Sequence, residues 1–310
     1  MPKLNIGEAI GLVLQTMPFL MLRGALYLAF GIFVVVYFLF VWVLAKLFGN
    51  GAAGLVFLIA TVGLWPIIKL FKYFALYFLQ AAHIAVLSQL IKEGQLPQGV
   101  AQVEFGKSLV VSKFKEVSVL FAVNEIVNAI LKSFNRTVVN LGSFTGISAF
   151  RGLAQLINLI IGFSISLVDE AILSFILIHK EENYWKGAKD GLILYVQSWK
   201  AILFNSAVMG LINAVSFAVL FCVFIALLTV FFPSQQTIAL IGALVMAYLV
   251  KEAFVYPVAM AAIIITFHKE ADGKSPDAVW EERLDSASNK FRELKQKAID
   301  FVSPPKPASS

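Results

Sequence analysis

Long apolar runs separated by short polar segments dominate the sequence. The plainest run is Gly24–Leu47, which has Arg23 and Lys46 at its ends. A helix rises about 1.5 Å per residue, so roughly 20 residues cross the hydrocarbon core of a bilayer. The pattern therefore predicts an all-α polytopic membrane bundle of six transmembrane helices. The other five predicted spans are Leu55–Ile91, Leu120–Leu141, Gly152–Ile178, Ala207–Phe232 and Ile238–Phe267.

Two of these runs contain residues that interrupt a regular helix. Leu55–Ile91 is too long for one perpendicular helix and contains Pro66, which removes a backbone hydrogen bond. We expect one long, kinked span there rather than two separate spans. Ile238–Phe267 is interrupted by the Lys251-Glu252 pair and by Pro257.

Amphipathic segments rich in lysine and aromatic residues separate the predicted pairs of spans. These segments are Leu4–Leu22, Val103–Val117 and Trp185–Leu203. Such helices lie at the level of the lipid headgroups, where here they would brace the spans. After the last span, Asp277–Val302 has a helical pattern, and Ser303–Ser310 is typical of a disordered tail.

A period of nearly 90 residues runs through the chain. Lys-Glu pairs begin at Lys92, Lys180 and Lys269, which are 88 and 89 residues apart, and each pair follows a span and precedes an amphipathic segment. Each unit would contain two spans, so all copies share one orientation and form three parallel helical-hairpin repeats. The predicted units are 1–91, 92–178 and 179–267, followed by a cytoplasmic segment 268–310.

Composition and charge agree with a membrane protein. Apolar residues make up 59% of the 310 residues and charged residues 14%, and the mean hydropathy is +0.83, outside the range of soluble domains. Nearly all lysines between spans fall on the side of the Lys-Glu pairs, so the positive-inside rule places that side and both termini in the cytoplasm. We expect the plasma (inner) membrane, and no cleavable signal peptide is apparent at the start.

Residues for metal or covalent chemistry are sparse. Cys222 is the only cysteine, and His83, His179 and His268 are far apart in the sequence. No phosphate-binding loop, nucleophile motif or zinc signature is present. We therefore expect no enzyme activity, no cofactor, no metal site and no nucleic-acid partner.

Charged and amide side chains within the predicted spans are the candidates for function, because such groups are costly in lipid and usually face a cavity. Asp169 and Glu170 lie about ten residues, roughly 15 Å, inside Lys180. Being adjacent, they point about 100° apart, so that one can face a cavity while the other is paired. The pair could form a cation or proton site; the alternative is structural pairing with Lys251, Lys132 or Arg136. Lys251 and Glu252 could be the partners of the two carboxylates. 

A polar stripe at spacings of four residues marks the helix Leu120–Leu141, which either lines a pathway or lies in the interface with its stripe toward water. The eight pathway candidates are Asn124, Glu125, Asn128, Lys132, Asp169, Glu170, Lys251 and Glu252.

Two stretches resemble the choline transporter-like family of membrane proteins. They are Tyr184–Tyr195 (YWKGAKDGLILY) and Thr266–Pro276 (TFHKEADGKSP), the latter followed by a charged helix. The resemblance implies transport, although that family has more spans and a large extracellular loop, and no choline-binding residue can be matched here. An aromatic cage for a quaternary ammonium group would be consistent with the Phe, Tyr and Trp content.

Two functions follow as hypotheses. The first is a transporter or channel for a small solute, with a cation favoured by the carboxylates. The alternative is a non-transporting scaffold that recruits partners or shapes lipid through its amphipathic helices; a lipid-processing enzyme ranks third. Membrane lipids, a small solute and further copies of the chain in a homo-oligomer are the expected partners.

Overall fold

The computed structural model describes residues 3–47, 50–113, 122–130, 162–163, 167–179 and 183–301. Within these ranges the chain is helical and contains no strand. The helices are α1 (Ile6–Gln15), α2 (Met17–Leu47), α3 (Asn50–Leu70), α4 (Tyr77–Glu93), α5 (Gln102–Lys113), α6 (Val168–Ile178), α7 (Tyr184–Gln197), α8 (Trp199–Phe231), α9 (Gln236–Val250), α10 (Tyr256–Ala271), α11 (Ala278–Ala287) and α12 (Asn289–Asp300). Residues 122–130 form a further helical segment.

Four helices in the described ranges are long and apolar enough to cross a membrane: Met17–Leu47, Gly54–Glu93, Trp199–Phe231 and Gln236–Ala271. They correspond to four of the six predicted spans. The predicted spans Leu120–Leu141 and Gly152–Ile178 are only partly described, over residues 122–130 and over 162–163 and 167–178 respectively. Large apolar side chains point outward along α2, α3, α8 and α9. Such extended exposed apolar surface is typical of contact with lipid.

The first transmembrane helix begins earlier than the sequence predicts. α1 ends at Gln15, and Thr16 turns its hydroxyl back onto the carbonyl groups of Leu12 and Val13. α2 then starts at Met17, seven residues before the predicted start at Gly24. Arg23 therefore does not mark the end of a span but lies inside the helix, where only 5% of its surface is exposed.

Two long helices each contain a π-helical segment at a comparable place. α3 and α4 are joined by Phe71–Leu76, and α9 and α10 by Lys251–Val255. The chain stays helical from Asn50 to Glu93, so the prediction of one long helix through Pro66 is confirmed. A π-helical segment holds one extra residue in a turn, and such segments are frequent at functional sites.

Single serines divide segments that the sequence predicts as continuous. Ser198 separates α7 from α8, so the apolar helix begins at Trp199 rather than Ala207. Ser288 adopts an extended conformation and divides the predicted helix Asp277–Val302 into α11 and α12.

The buried core is formed by α4, α6 and α10, with short helices packed around them. α5 packs on α4, α7 packs on α6, and α1 packs on α10. We call α1, α5 and α7 the collar. Where the collar surrounds the core helices, every residue of α10 from Ala259 to Phe267 is buried, and so is every residue of α4 from Ala81 to Ser88. α12 covers the outer side of α7.

One glycine allows a very close approach within the collar. A Cβ atom added to Gly106 in α5 would lie 2.3 Å from the carbonyl oxygen of Ala82 in α4. Only a residue without a side chain permits this contact between the two backbones.

Candidate functional site

A carboxyl group lies buried where the three core helices meet. Glu170 of α6 is 3% exposed, and its Oε1 accepts hydrogen bonds from Gln80 Nε2 of α4 at 2.7 Å and from the Tyr256 hydroxyl of α10 at 2.5 Å. Its other oxygen, Oε2, is buried and has no hydrogen-bond partner among the described residues. One carboxyl group thus links α4, α6 and α10.

Asp169 faces a small cleft beside this junction. The cleft has a volume of about 10 Å³ and is lined by Tyr77, Asn124 and Asp169 together with apolar residues. Asn128 Nδ2 donates a hydrogen bond to Asn124 Oδ1 at 3.0 Å. A space of this volume holds one water molecule. Asp169 therefore faces the cleft, whereas Glu170 is hydrogen-bonded to Gln80 and Tyr256.

Asp169 and Glu170 are adjacent on α6, and Asp169 Oδ1, like Glu170 Oε2, is buried without a hydrogen-bond partner among the described residues. Two negative charges so close in a buried place repel strongly, and neither can keep its charge cheaply without a cation or a proton. The guanidinium of Arg23 lies 5.1 Å from the centre of the Tyr256 ring, and no ion pair joins it to either carboxylate among the described residues. The arrangement is suited to holding a proton or a small cation.

The structure brings together four of the eight pathway candidates: Asn124, Asn128, Asp169 and Glu170. Lys251 and Glu252 do not supply the partners that the sequence suggested. Lys251 Nζ lies 2.8 Å from Glu252 Oε1, so these two residues pair with each other. Glu125 is exposed and does not line the cleft, and Lys132 lies outside the described residues.

A second polar cluster lies one helical turn away along α6. Ser174 Oγ lies 2.7 Å from Ser88 Oγ and 2.6 Å from His268 Nε2, so this cluster also links α6, α4 and α10. Both serines are fully buried, and His268 is partly buried. Ser88 Oγ also lies 2.6 Å from the carbonyl oxygen of Ile84.

Lysines at the end of α6 bind its free carbonyl groups. Lys92 Nζ donates to the Ile178 oxygen at 3.0 Å, and Lys113 Nζ donates to the His179 oxygen at 2.8 Å. The C-terminus of a helix carries partial negative charge, which these ammonium groups neutralise. Lys92 thus joins two core helices, α4 and α6, whereas Lys113 joins the collar helix α5 to the core.

An ion-pair network fixes the last two helices to the collar. Lys295 Nζ of α12 lies 3.0 Å from Glu281 Oε1 of α11, and Lys189 Nζ of α7 lies 3.6 Å from Glu281 Oε2. Partial burial acts to raise the pKa of Glu281, but hydrogen bonds and charges from Lys295 and Lys189 outweigh it. They hold the pKa of this carboxyl below its ordinary value.

Sequence reasoning missed Gln80, Tyr256, Tyr77 and Arg23 as members of the site. A signal existed for Gln80, because an amide inside an apolar run is unusual in a membrane span. The repeat offered another signal. Gln80, Glu170 and Tyr256 lie 12, 10 and 13 residues before Lys92, Lys180 and Lys269, so each occupies a similar place before its Lys-Glu pair.

Within the described ranges, no three His, Cys, Asp or Glu side chains lie close enough together to hold a metal ion. The site is therefore characterised by buried carboxyl, amide and hydroxyl groups on three helices. No protein-family model, curated protein or solved structure matches the chain.

Proposed function

We propose that this protein is a multi-pass membrane transporter or channel for a small cationic solute, whose pathway passes the carboxyl pair Asp169 and Glu170. The observation that carries the proposal is the meeting of α4, α6 and α10 at this pair beside a water-sized cleft. Buried carboxyl groups without a neutralising partner are expensive, and in membrane proteins they usually mark an ion or proton pathway.

The packing supports the three-repeat architecture that we propose. Each core helix carries one collar helix: α5 on α4, α7 on α6 and α1 on α10. The first two collar helices follow their core helices in sequence, whereas α1 comes from the other end of the chain. This arrangement agrees with three equivalent hairpins around a pseudo-threefold axis, with units 1–91, 92–178 and 179–267 and six spans in total.

The distribution of charge supports a cytoplasmic collar. Lys92, Lys113 and Lys269 all lie at the collar end of the core helices. By the positive-inside rule this end, with both termini, faces the cytoplasm of the plasma (inner) membrane. Exposed apolar side chains extend along the long helices to Phe74 and Phe254, beyond which α4 and α10 are enclosed by the collar. We therefore place the carboxyl pair near the cytoplasmic border of the lipid-exposed zone, rather than at the bilayer centre that the count from Lys180 suggested.

The size of the cleft limits the size of the solute that we propose. A volume of about 10 Å³ accommodates one water molecule, and hence a proton carrier or one small inorganic cation. A quaternary ammonium ion is far larger and would require the three core helices to separate. From the choline transporter-like resemblance we therefore carry over only the proposal of transport. The solute that we propose is smaller than the one that the family's name implies.

The test is flux through purified protein reconstituted into vesicles, with proton and monovalent-cation fluxes measured under an imposed membrane potential. We expect flux in the unmodified protein and its loss in Asp169→Asn and Glu170→Gln. Glu125→Gln is the matched control, because it neutralises an exposed carboxylate outside the cluster. Normal flux in folded Asp169→Asn and Glu170→Gln variants would contradict the proposal.

One observation favours the alternative of a non-transporting scaffold. Lys251 and Glu252 satisfy each other instead of contributing to the cleft, as expected if the charges within the helices serve packing. Under this alternative the unmodified protein carries no flux, and the collar with α11 and α12 is the surface that recruits partners. The same vesicle experiment therefore separates the two functions.

A further inference from the structure

We propose that Lys69 and Lys72, together with Trp65, bind the phosphate group of an anionic phospholipid on the lipid-facing side of α3 and of the π-helical segment that follows it. The inference goes beyond the proposed transport, because none of these three side chains belongs to the carboxyl site. It names one occupant, a lipid of the membrane leaflet next to the collar. We call the three residues the basic stripe.

The basic stripe occupies one face of the helix. Trp65, Lys69 and Lys72 are spaced four and three residues apart, and residues at these spacings are neighbours on a helix surface. All three are exposed, as are Leu70 and Phe74 beside them. Lys69 Nζ lies 5.8 Å from the centre of the Trp65 ring, which is a cation–π distance. An indole ring and two ammonium groups thus share a surface that is otherwise apolar.

The position of the basic stripe along the helix places it at a border of the bilayer. α3 begins at Asn50, and the two lysines follow about 20 residues later, which corresponds to roughly 30 Å along the helix axis. This length equals the thickness of the hydrocarbon core. Tryptophan is enriched at such a border, and a lysine there extends its ammonium group to the headgroups. The lysines therefore lie within reach of lipid phosphates on the collar side.

The chain supplies no counter-charge for the two lysines. Among the residues that the structure describes, neither ammonium group is in an ion pair. Two lysines one turn apart also repel each other, so an anion from outside the chain would stabilise both. Between Glu8 and Glu93 the sequence has no acidic residue but has five basic ones, which are Arg23, Lys46, Lys69, Lys72 and Lys92.

The second π-helical segment shows how such a lysine is neutralised from within the chain. Lys251 begins that segment, and its Nζ lies 5.3 Å from the centre of the Tyr248 ring, much as Lys69 lies beside Trp65. There the carboxylate of Glu252 pairs with the ammonium group at 2.8 Å. A lipid phosphate would serve Lys69 and Lys72 as Glu252 serves Lys251.

The surroundings of the basic stripe favour a lipid over a free anion. Trp65, Leu70 and Phe74 are exposed and apolar, so acyl chains can cover them while the phosphate of the same molecule contacts the lysines. A free phosphate would gain only the contact between charges. Phosphatidylglycerol carries a net negative charge, whereas the choline group of phosphatidylcholine offsets its phosphate. The basic stripe should therefore prefer phosphatidylglycerol.

Native mass spectrometry of the full chain in detergent, titrated with phosphatidylglycerol or phosphatidylcholine, measures the affinity of the first bound lipid. We expect phosphatidylglycerol to bind about 25-fold more tightly, since each basic residue beside an anionic headgroup contributes about a factor of five. Lys69→Gln and Lys72→Gln should each reduce the preference to about fivefold, and the double variant should abolish it. Lys69→Arg combined with Lys72→Arg keeps both charges and should keep the preference.

Matched controls remove lysines elsewhere. Lys46→Gln removes a lysine whose Nζ lies 3.8 Å from the centre of the Trp42 ring, at the other end of the hairpin. Lys274→Gln removes an exposed lysine that is paired with Glu270. Neither should change the affinity of the first bound phosphatidylglycerol. Circular dichroism and thermal unfolding check that each variant is folded, and the arginine variants keep the test valid if glutamine destabilises the helix.

Three results would overturn the lipid site. They are equal affinity of the unmodified protein for the two lipids, an undiminished preference in the folded double glutamine variant, and displacement of phosphatidylglycerol by excess glycerol phosphate. The last result would show that a free phosphate, without acyl chains, occupies the basic stripe. Lipid binding is measured without flux, so its outcome is independent of the transport experiment.

Discussion

The hydroxyl group of Tyr256 donates a hydrogen bond to Glu170 Oε1, the same oxygen that Gln80 Nε2 binds at 2.7 Å. We expect Tyr256→Phe to lower the free energy of unfolding by about 1–3 kcal/mol, because a buried carboxyl oxygen loses a donor. Thermal unfolding in detergent measures this loss. Tyr248→Phe is the control, since Tyr248 is 40% exposed on α9; an equal loss in both variants would contradict the role of the hydroxyl.

The contact between α5 and α4 predicts a strong effect of one added methyl group. Gly106→Ala would place Cβ 2.3 Å from the Ala82 oxygen, so one helix must shift, at a cost of about 1–3 kcal/mol. Gly11→Ala on α1 is the matched control because no atom lies within 4 Å of its added Cβ. There we expect a gain of about 0.5–1 kcal/mol from higher helix propensity. Unfolding of both variants in detergent should therefore shift in opposite directions.

The docking of α1 on α10 depends on Asn5 more than on the ion pair beside it. Asn5 Nδ2 donates to Thr266 Oγ1 at 2.9 Å, and Asn5 Oδ1 accepts from Lys269 Nζ at 3.1 Å. We expect Asn5→Ala to raise the hydrogen-exchange rates of the α1 amides, corresponding to about 1–3 kcal/mol of lost protection. Glu8→Gln breaks only the exposed pair with Lys269 and should change little. Similar exchange in both variants would contradict this ranking.

The attachment of α11 and α12 to the collar should depend on pH. The folded state holds the pKa of Glu281 below its ordinary value, so the ionised carboxylate stabilises docking above that ordinary value, about 4.5. This contribution is lost as the pH falls through the lowered, folded value. Distances between spin labels on α7 and α12 should lengthen in that acidic range. Glu281→Gln should loosen the contact already at pH 7, whereas Glu293→Gln, which lies in a pair within α12, should not.

The long helices in the described ranges could be predicted because an apolar run long enough to span a bilayer has few stable structures other than an α-helix. The ends of the helices were harder to predict, since Thr16 and Ser198 each end a helix with a short local turn and Ser288 ends one with an extended residue. Such turns occupy one residue and leave the apolar pattern of the flanking segments almost unchanged. The sequence thus identified the segments but joined α1 to the start of α2, and α11 to α12.

The site was only partly predictable for a geometric reason. Asp169 and Glu170 were visible because carboxylates are rare in apolar runs, whereas the direction of Gln80 and Tyr256 depends on the helix turns before them. The π-helical segments Phe71–Leu76 and Lys251–Val255 precede both residues. One extra residue in a turn rotates everything that follows by about 100°. Counting with a period of 3.6 across these segments therefore assigns the wrong face.

The packing of α1 on α10 has a consequence for biosynthesis. Asn5 and Thr266 are separated by 261 residues, so α1 leaves the ribosome long before α10, the helix on which it docks. At 5–20 residues per second, α1 waits roughly 10 to 50 s for its partner. During this interval we expect the apolar face of α1 to bind the membrane surface beside the translocation site. Docking of α1 would then follow the synthesis of α10, and a chain truncated before α10 would leave α1 undocked.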